Sequence, residues 1–317
     1  MSAPHLERVI SAGRAKQSAA PLISILTPFH KHDPSPLIRA LARQKTSAPI
    51  ELVLLDDASA STDLLIRVVR AAHEADFPVR IIVWEKNGGR ARARNRLLAD
   101  AHGQYALFLD ADMLPRHPDY LARWIALIDQ EQPGVAFGGL SLEGVRATRQ
   151  TALHHATFAS SDCGAATTRQ RDGATKVATS NLLVRKDILT AEPFDDGFSG
   201  WGWEDVDWAL RVERLTPIVH IDNPAAHTGL DTVETLLRKY EEGGRNYARL
   251  TQKHPEAVSR MSSSYRIARA LRTIPMQIAA RPALSWIARD PLGLTPMLAR
   301  RAALKLFRAS HVAERLS

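Results

Sequence analysis

Asp110 and Asp112 stand one residue apart at the end of Tyr105-Ala106-Leu107-Phe108-Leu109, a run of apolar and aromatic residues. Such a run reads as a short buried strand, and in an open α/β sheet ligands gather beyond the carboxyl ends of the strands. Two carboxylates that close repel each other unless a cation joins them. The pair suits a divalent ion carrying a diphosphate, which takes one or two carboxylates plus phosphate oxygens and keeps some water. A solvated loop or a helix N-cap would use the same residues, so the neighbours decide.

Three further stretches carry groups able to do chemistry. Asp56-Asp57-Ala58-Ser59 ends a second apolar run. A carboxylate there accepts from a base ring nitrogen or a ribose hydroxyl, or simply starts an Asx turn. Asn87-Gly88-Gly89-Arg90-Ala91-Arg92-Ala93-Arg94-Asn95 joins glycines that admit a ligand to the backbone with arginines that offer charge to a nucleotide. Its plainer reading is a glycine turn into a basic solvated helix. No Gly-x-Gly-x-x-Gly follows the first apolar run and no phosphate-loop lysine motif occurs, which counts against dinucleotide and P-loop proteins. Gly200-Trp201-Gly202-Trp203-Glu204-Asp205-Val206-Asp207 sets planar rings beside acids. Sugars stack on such rings, and a carboxylate binds hydroxyls or takes a proton from one. The alternative is a structural tryptophan turn with acids at a helix start.

The elements that must hold these groups alternate. Leu22 to Leu26 reads as a first strand ended by Thr27-Pro28, followed by a helix over 34–44. Strands at 51–55, 79–84 and 105–109 then alternate with helices at 62–75 and 91–101. This order predicts a mainly parallel sheet with right-handed crossovers. Past Asp119 the pattern predicts a helix over 120–130, strands at 134–139 and 177–184, and a helix over 203–214. Residues 146–175 lack apolar periodicity and read as a loop or mobile flap. Helix-like pieces at 264–274 and 298–310 are broken by Pro275, Pro282, Pro291 and Pro296.

A chain of 317 residues allows one large or two modest domains. The expected division is an N-terminal extension (1–20), an α/β domain (21–250) and a basic helical region (251–317). The domain splits into two halves, which the resemblance described below makes a nucleotide-binding half (21–119) and an acceptor half (120–250). The net charge of +8 sits in the tail, where eleven Lys and Arg from Arg260 onward face only Asp290 and Glu314. Cys163 is the only cysteine, which excludes an internal disulfide and fits a reducing compartment. Met1 to Ala20 has no apolar run, so no signal peptide is expected, and no stretch is long enough to span a bilayer. The expected location is cytoplasmic, either free or peripheral on the inner face of the cell membrane.

Taken together, Thr27-Pro28, Asp56 to Ser59, Asn87 to Asn95, Asp110-Ala111-Asp112 and Gly200 to Asp205 resemble family 2 glycosyltransferases of the GT-A fold. Thr179 to Lys186, Phe194-Asp195-Asp196-Gly197-Phe198 and the Trp-Gly-Trp-Glu-Asp run also look like the acceptor half of galactosyl- and N-acetylgalactosaminyl-transferases. The resemblance implies an α/β nucleotide-sugar-binding fold and assigns roles. Thr27, Pro28, Asn87, Gly89 and Ala111 line the nucleotide-sugar site. Asp57 binds the uracil, with Asp56 as alternate, and Arg94 contacts base or phosphate. Asp110 faces ribose or metal, Asp112 binds the metal, and His227 completes the set, fitting better than His220. An imidazole among oxygen ligands favours Mn²⁺, with Mg²⁺ as the other choice. Asp205 is the implied base and Glu204 the holder of donor or acceptor hydroxyls, with Trp201, Gly202 and Trp203 facing the sugar. Trp203 departs from the family pattern, where glycine is common, and its ring would narrow the pocket.

The implied reaction moves a hexose or N-acetylhexosamine from a nucleoside diphosphate, uridine-linked, to a hydroxyl of a glycan or lipid-linked acceptor, with inversion, in surface polysaccharide synthesis. One rival is a sugar-phosphate nucleotidylyltransferase, disfavoured because Thr27 to Lys31 contains no glycine. Another is a non-catalytic carbohydrate-binding relic, disfavoured by the intact Asp112 and Asp205. In the tail, Arg266, Arg269, Arg272, Arg300, Arg301, Lys305 and Arg308 alternate with Leu and Ile. They either lie on an anionic membrane or belong to solvated helices that close the domain or a dimer contact. Few aromatics accompany them, so no nucleic acid is expected.

Overall fold

A computed structural model describes residues 7–13, 20–261, 267, 268, 270, 271 and 278–315. Strand β1 (Glu7–Ala12) precedes the apolar runs β2 (Ile23–Phe29), β3 (Ile50–Asp57), β4 (Val79–Trp84) and β5 (Tyr105–Leu109). β3 and β5 are buried at every position and β2 at all but Pro28, as strands covered on both faces must be. These strands pair in parallel in the order β4-β3-β2-β5. Between them run α1 (Ser35–Ala42), α2 (Thr62–His73) and α3 (Arg90–Asp100).

Beyond β5 the sheet turns mixed. β9 (Asn181–Arg185) lies antiparallel between β5 and β7 (Val135–Phe137), and β10 (Ile218–His220) follows as the eighth strand. A second sheet holds β6 (Met113–Pro115), β11 (Ala225–His227) and β8 (Leu140–Ser141). Asn181 and Tyr120 join the two sheets. The Tyr120 hydroxyl donates to Asn181 Oδ1 at 2.6 Å, and Asn181 Nδ2 donates to the carbonyls of Gly139 and Asn223. Tyr120 opens α4 (Tyr120–Glu131), whose Trp124 is fully buried.

Four expectations need correction. The first strand of the chain is β1, inside the supposed extension, and it pairs antiparallel with β4. β2 does not stop at Thr27-Pro28. Its pairing with β5 ends at Leu26, so Pro28 lies past the ladder on that side and its missing N–H is tolerated. The supposed flap holds α5 (Ala152–Ser161), α6 (Ala166–Asp172) and a 3₁₀ turn, Gly173–Lys176. Single deep anchors replace a periodic stripe there: Leu153 is fully buried, and Arg169 lies over the Phe137 ring at 5.3 Å.

The tail is the fourth. After α7 (Lys186–Ala191), α8 (Glu204–Val212), α9 (Val233–Lys253) and α10 (Pro255–Met261), it forms α11 (Arg281–Arg289) and α12 (Met297–Arg315). Pro282 and Pro296 start helices instead of breaking them, since a first-turn proline lacks only an N–H that would be unpaired anyway. Arg300 is buried and donates to Ala288 O at 3.0 Å, Arg281 holds Ser310 and Glu314, and Arg301 reaches Ser160. These contacts match the reading in which the helices close the domain. The piece expected at 264–274, with Arg266, Arg269 and Arg272, falls largely outside the described residues, those arginines entirely. Among the described residues no helix is long and apolar enough to cross a membrane.

Candidate active site

Strand register brings Asp112 and His227 together although 114 residues lie between them. β11 pairs antiparallel with β6 so that His227 faces Met113. Thr228 N and Oγ1 then both donate to the Asp112 carbonyl, at 2.8 and 2.9 Å. Asp112 Oδ2 ends 3.5 Å from His227 Nε2. Gly229 makes this possible, because a Cβ there would collide with the Asp112 carboxylate. The His227 ring stacks on Phe158 (4.8 Å between centroids) and meets the His154 ring at 5.7 Å. His154 itself is pushed down to about 4, first by burial, so it stays neutral.

An oxygen and a nitrogen 3.5 Å apart can share one ion whose ligands sit about 2.1 Å away. Among the described residues no third His, Cys, Asp or Glu closes the set into a cage. Two protein donors with room for phosphate and water are what a diphosphate-bound cation uses. Asp110, expected to face the ribose or the metal, has Oδ1 3.6 Å from Arg94 Nη2.

Arg94 links the two acid motifs. It rises from α3 into the interior, where its residue surface is 1% exposed. Nη1 donates to Glu204 Oε1 at 2.8 Å, Nη2 faces Asp110 Oδ1, and the guanidinium lies 5.7 Å from the Phe194 ring centre. Burial opposes its charge, but Glu204 and then Asp110 outweigh that and raise its pKa. The sequence reading gave Arg94 a base or phosphate contact and Glu204 a hydroxyl; both are buried, and each is committed to the other. They are a strut between halves.

Asp205 begins the next turn. It is half-buried in the first turn of α8, and Oδ1 accepts from Val206 N. Burial and then the Glu204 carboxylate push it up to about 7, against the pull of Arg94. The group is therefore poised near neutrality beside the same strut that holds Asp110.

On the donor side the carboxylates are held by backbone. Asp57 Oδ1 and Oδ2 accept from Gly88 N (2.6 Å) and Gly89 N (3.0 Å), and Asn87 Nδ2 donates to the Asp57 carbonyl. Gly89 adopts φ +82°, which glycine alone takes freely, and caps α3. Asp56 Oδ1 accepts from Ser59 N at 2.8 Å. Thr27 is fully buried with an unpartnered hydroxyl, Pro28 is partly exposed and Ala111 is buried.

The tryptophan loop rests on the C-terminal helices. Asn246 of α9, 3% exposed, donates through Nδ2 to the carbonyls of Ser199, Trp201 and Gly202. Trp201 leans on Tyr240 (5.7 Å). Trp203 stands at φ +77°, where glycine is favoured, with Tyr247 at its edge (4.6 Å) and the Arg308 guanidinium 4.8 Å over its ring. One face of Trp203 is thus taken by Arg308, while Trp201 lies against Tyr240 and Gly243. Sequence reasoning missed Phe158, Gly229, Asn246 and the contact of Arg308. Only Asn246 left a trace, as a poor helix former in the middle of a 21-residue helix.

Comparison with known proteins places this geometry in a family. Residues 24–190 match the sequence pattern of Glycosyl transferase family 2. The chain is 31% identical over 223 residues to the O-antigen biosynthesis protein RfbC of Myxococcus xanthus, covering 67% of this chain and 16% of that protein. It is 34% identical over 95 residues to human polypeptide N-acetylgalactosaminyltransferase 13, covering 29% of this chain and 17% of that one. It therefore spans only about a sixth of either relative. In fold it is similar to the mannosyltransferase PcManGT of Pyrobaculum calidifontis, solved with GDP-Man and Mn²⁺. The TM-score is 0.64 at 15% identity, over 94% of this chain and 88% of that one. The mixed sheet, the acid motifs in order and the sequence match agree: the chain belongs to glycosyltransferase family 2, with a GT-A fold.

Proposed function

We propose that the protein transfers a hexose or N-acetylhexosamine from a nucleoside-diphosphate sugar, uridine-linked, to a hydroxyl of a glycan or lipid-linked acceptor in surface polysaccharide synthesis. The transfer is inverting and uses Mn²⁺ or Mg²⁺. The observation that carries this reading is the buried Arg94, which ties Asp110, beside Asp112, to Glu204, beside Asp205. In this reading the cation-binding acid lies two residues from one end of the strut and the proton-accepting acid next to the other.

Asp205 takes the proton from the acceptor hydroxyl as its oxygen bonds to the anomeric carbon and the carbon–diphosphate bond breaks. A pKa about 7 lets Asp205 be both ionised and basic enough at neutral pH. Asp112 and His227 would hold the cation, whose chemistry there would be to offset the charge that builds on the departing diphosphate. Asp57, fixed by Gly88 and Gly89, keeps further lone pairs to accept from the base, with Asp56, Asn87, Thr27 and Pro28 shaping the same pocket. Trp201 offers its ring to the sugar, and Trp203 narrows the wall.

A panel of nucleotide sugars, GDP-linked ones included, scored by thermal shift with and without Mn²⁺ identifies the donor. The expected result is a Mn²⁺-dependent shift with one uridine-linked sugar, and nucleoside diphosphate release when acceptor is added. A shift without release under any acceptor would mark a binding protein, and incorporation of nucleotide from UTP and sugar phosphate would mark a nucleotidylyltransferase.

A further inference from the structure

The hairpin α11–α12 has two unlike sides. Its inner side carries Ala288, Leu304 and Phe307, buried with Leu153, Val233, Leu236 and Leu237. Its outer side is bare and apolar: Ile278 is 50% exposed, Trp286 53%, Leu292 66%, Leu294 81%, Leu298 76% and Leu306 37%. Every other exposed position between 278 and 306 is Ala, Gly or Pro, apart from Arg289 and Lys305. Soluble surfaces scatter single apolar residues, whereas a contiguous patch marks an interface.

We propose that this outer face docks on an anionic lipid surface, with Leu292 and Leu294 at the loop tip entering the acyl boundary and Trp286 at headgroup level. The charge pattern selects this occupant. Exposed Arg149 lies beside the loop at Gly293, and Arg289 and Lys305 are the exposed charges of the helices on either side of it, so the exposed charge here is cationic. Asp290, inside the loop, is turned to Thr295 N and Arg300. The bordering Glu234 already faces Arg289 at 3.8 Å. In a two-fold contact with a second copy this charge meets its own sign, whereas acidic headgroups satisfy it. Tryptophan and leucine on one side of a short helical hairpin with basic neighbours are the composition of an in-plane membrane anchor.

This placement differs from a basic stripe: the tail's buried arginines build the domain, and its apolar outer face does the docking. It also deepens the functional reading. Arg308, on the same α12, covers Trp203 of the acid loop, so docking holds the acceptor side of the cleft at the lipid surface. A lipid-linked acceptor follows.

The test is flotation of the whole chain with vesicles of phosphatidylcholine alone or with a third phosphatidylglycerol. Binding is expected only with the anionic lipid. The pair Leu292→Asp and Leu294→Asp, both at an exposed tip, lowers it at least about tenfold, because each buried leucine accounts for that much. Arg289→Gln with Lys305→Gln lowers it about fivefold per charge. Absence of binding to either vesicle overturns the proposal. So does a concentration-dependent dimer that Leu294→Asp dissolves, which would assign the face to a second copy. Nucleoside diphosphate release in solution, unchanged in these variants, separates failure of docking from failure of the transferase reading.

Discussion

The donor half and the acceptor half hold their acids by different means. Asp56 and Asp57 are fixed by backbone N–H groups of Ser59, Gly88 and Gly89, at 2.6 to 3.0 Å. Glu204 and Asp207 are fixed by side chains: Arg94 from α3 for Glu204, and for Asp207 Arg211 one turn along the same helix with Lys253 and His254 from the end of α9. Backbone donors cost nothing to leave in place when a ligand arrives, and they need only a glycine turn to point inward. Ion pairs across 110 residues need both partners delivered by the fold. Residues 21–119 therefore hold their acids through local backbone, and residues 120–250 hold theirs through tertiary contact.

The largest effect belongs to Asp205. Asp205→Asn should lower kcat by about 10²–10⁴-fold with donor affinity unchanged, since general-base catalysis contributes that much. In the unsubstituted protein kcat/KM should climb with pH through a midpoint about 7, because the carboxyl is protonated and idle below it. A flat profile between pH 5 and 8 would remove Asp205 from the proton path.

The contrast between halves is broken most directly at Arg94. Arg94→Met strands the buried Glu204 carboxylate and should cost roughly 3–5 kcal/mol in chemical denaturation. Adding Glu204→Gln should recover much of that loss. Asp57→Asn keeps one acceptor oxygen for the glycine turn and should cost only about 1–3 kcal/mol. Equal losses at both positions would erase the distinction.

Legibility in the sequence follows the same line. The four parallel strands were readable because burial on both faces writes an unbroken apolar run, and β4 and β5 begin and end where the pattern puts them. Asp57 and the Asn-Gly-Gly turn were each readable as a motif at a strand end, but the hydrogen bonds that join them were not. The Arg94–Glu204 pair was not, since either residue alone reads as a surface charge on an amphipathic helix. Helices α5 and α6 escaped because Leu153 and Arg169 anchor them singly. β1 escaped because an edge strand with exposed residues has no apolar run to show.

A smaller effect sharpens the metal side of the comparison. Gly229→Ala forces the Asp112 carboxylate off its line to His227. Disturbing a ligand's support costs about 10–100-fold in metal affinity. Thermal shift against Mn²⁺ with nucleoside diphosphate present should show that loss, while stability without metal changes little. Unchanged Mn²⁺ dependence would take Asp112 out of the metal site.

The smallest expected stability change is at Trp203, where two effects oppose. At φ +77° a bulky residue costs about 1–2 kcal/mol over glycine. Against this stand the Tyr247 edge contact and the Arg308 guanidinium over the ring, each about 0.5–1.5 kcal/mol. Trp203→Gly should therefore leave stability within about 1 kcal/mol. In the proposed reading the ring walls the acceptor side, and without it Arg308 loses the surface it rests on. Selectivity should relax, with bulkier acceptors gaining in kcat/KM relative to the preferred one while donor affinity holds. Unaltered selectivity beside unaltered stability would reduce Trp203 to a tolerated substitution at a glycine position, and the acceptor half would then be shaped by Trp201 alone.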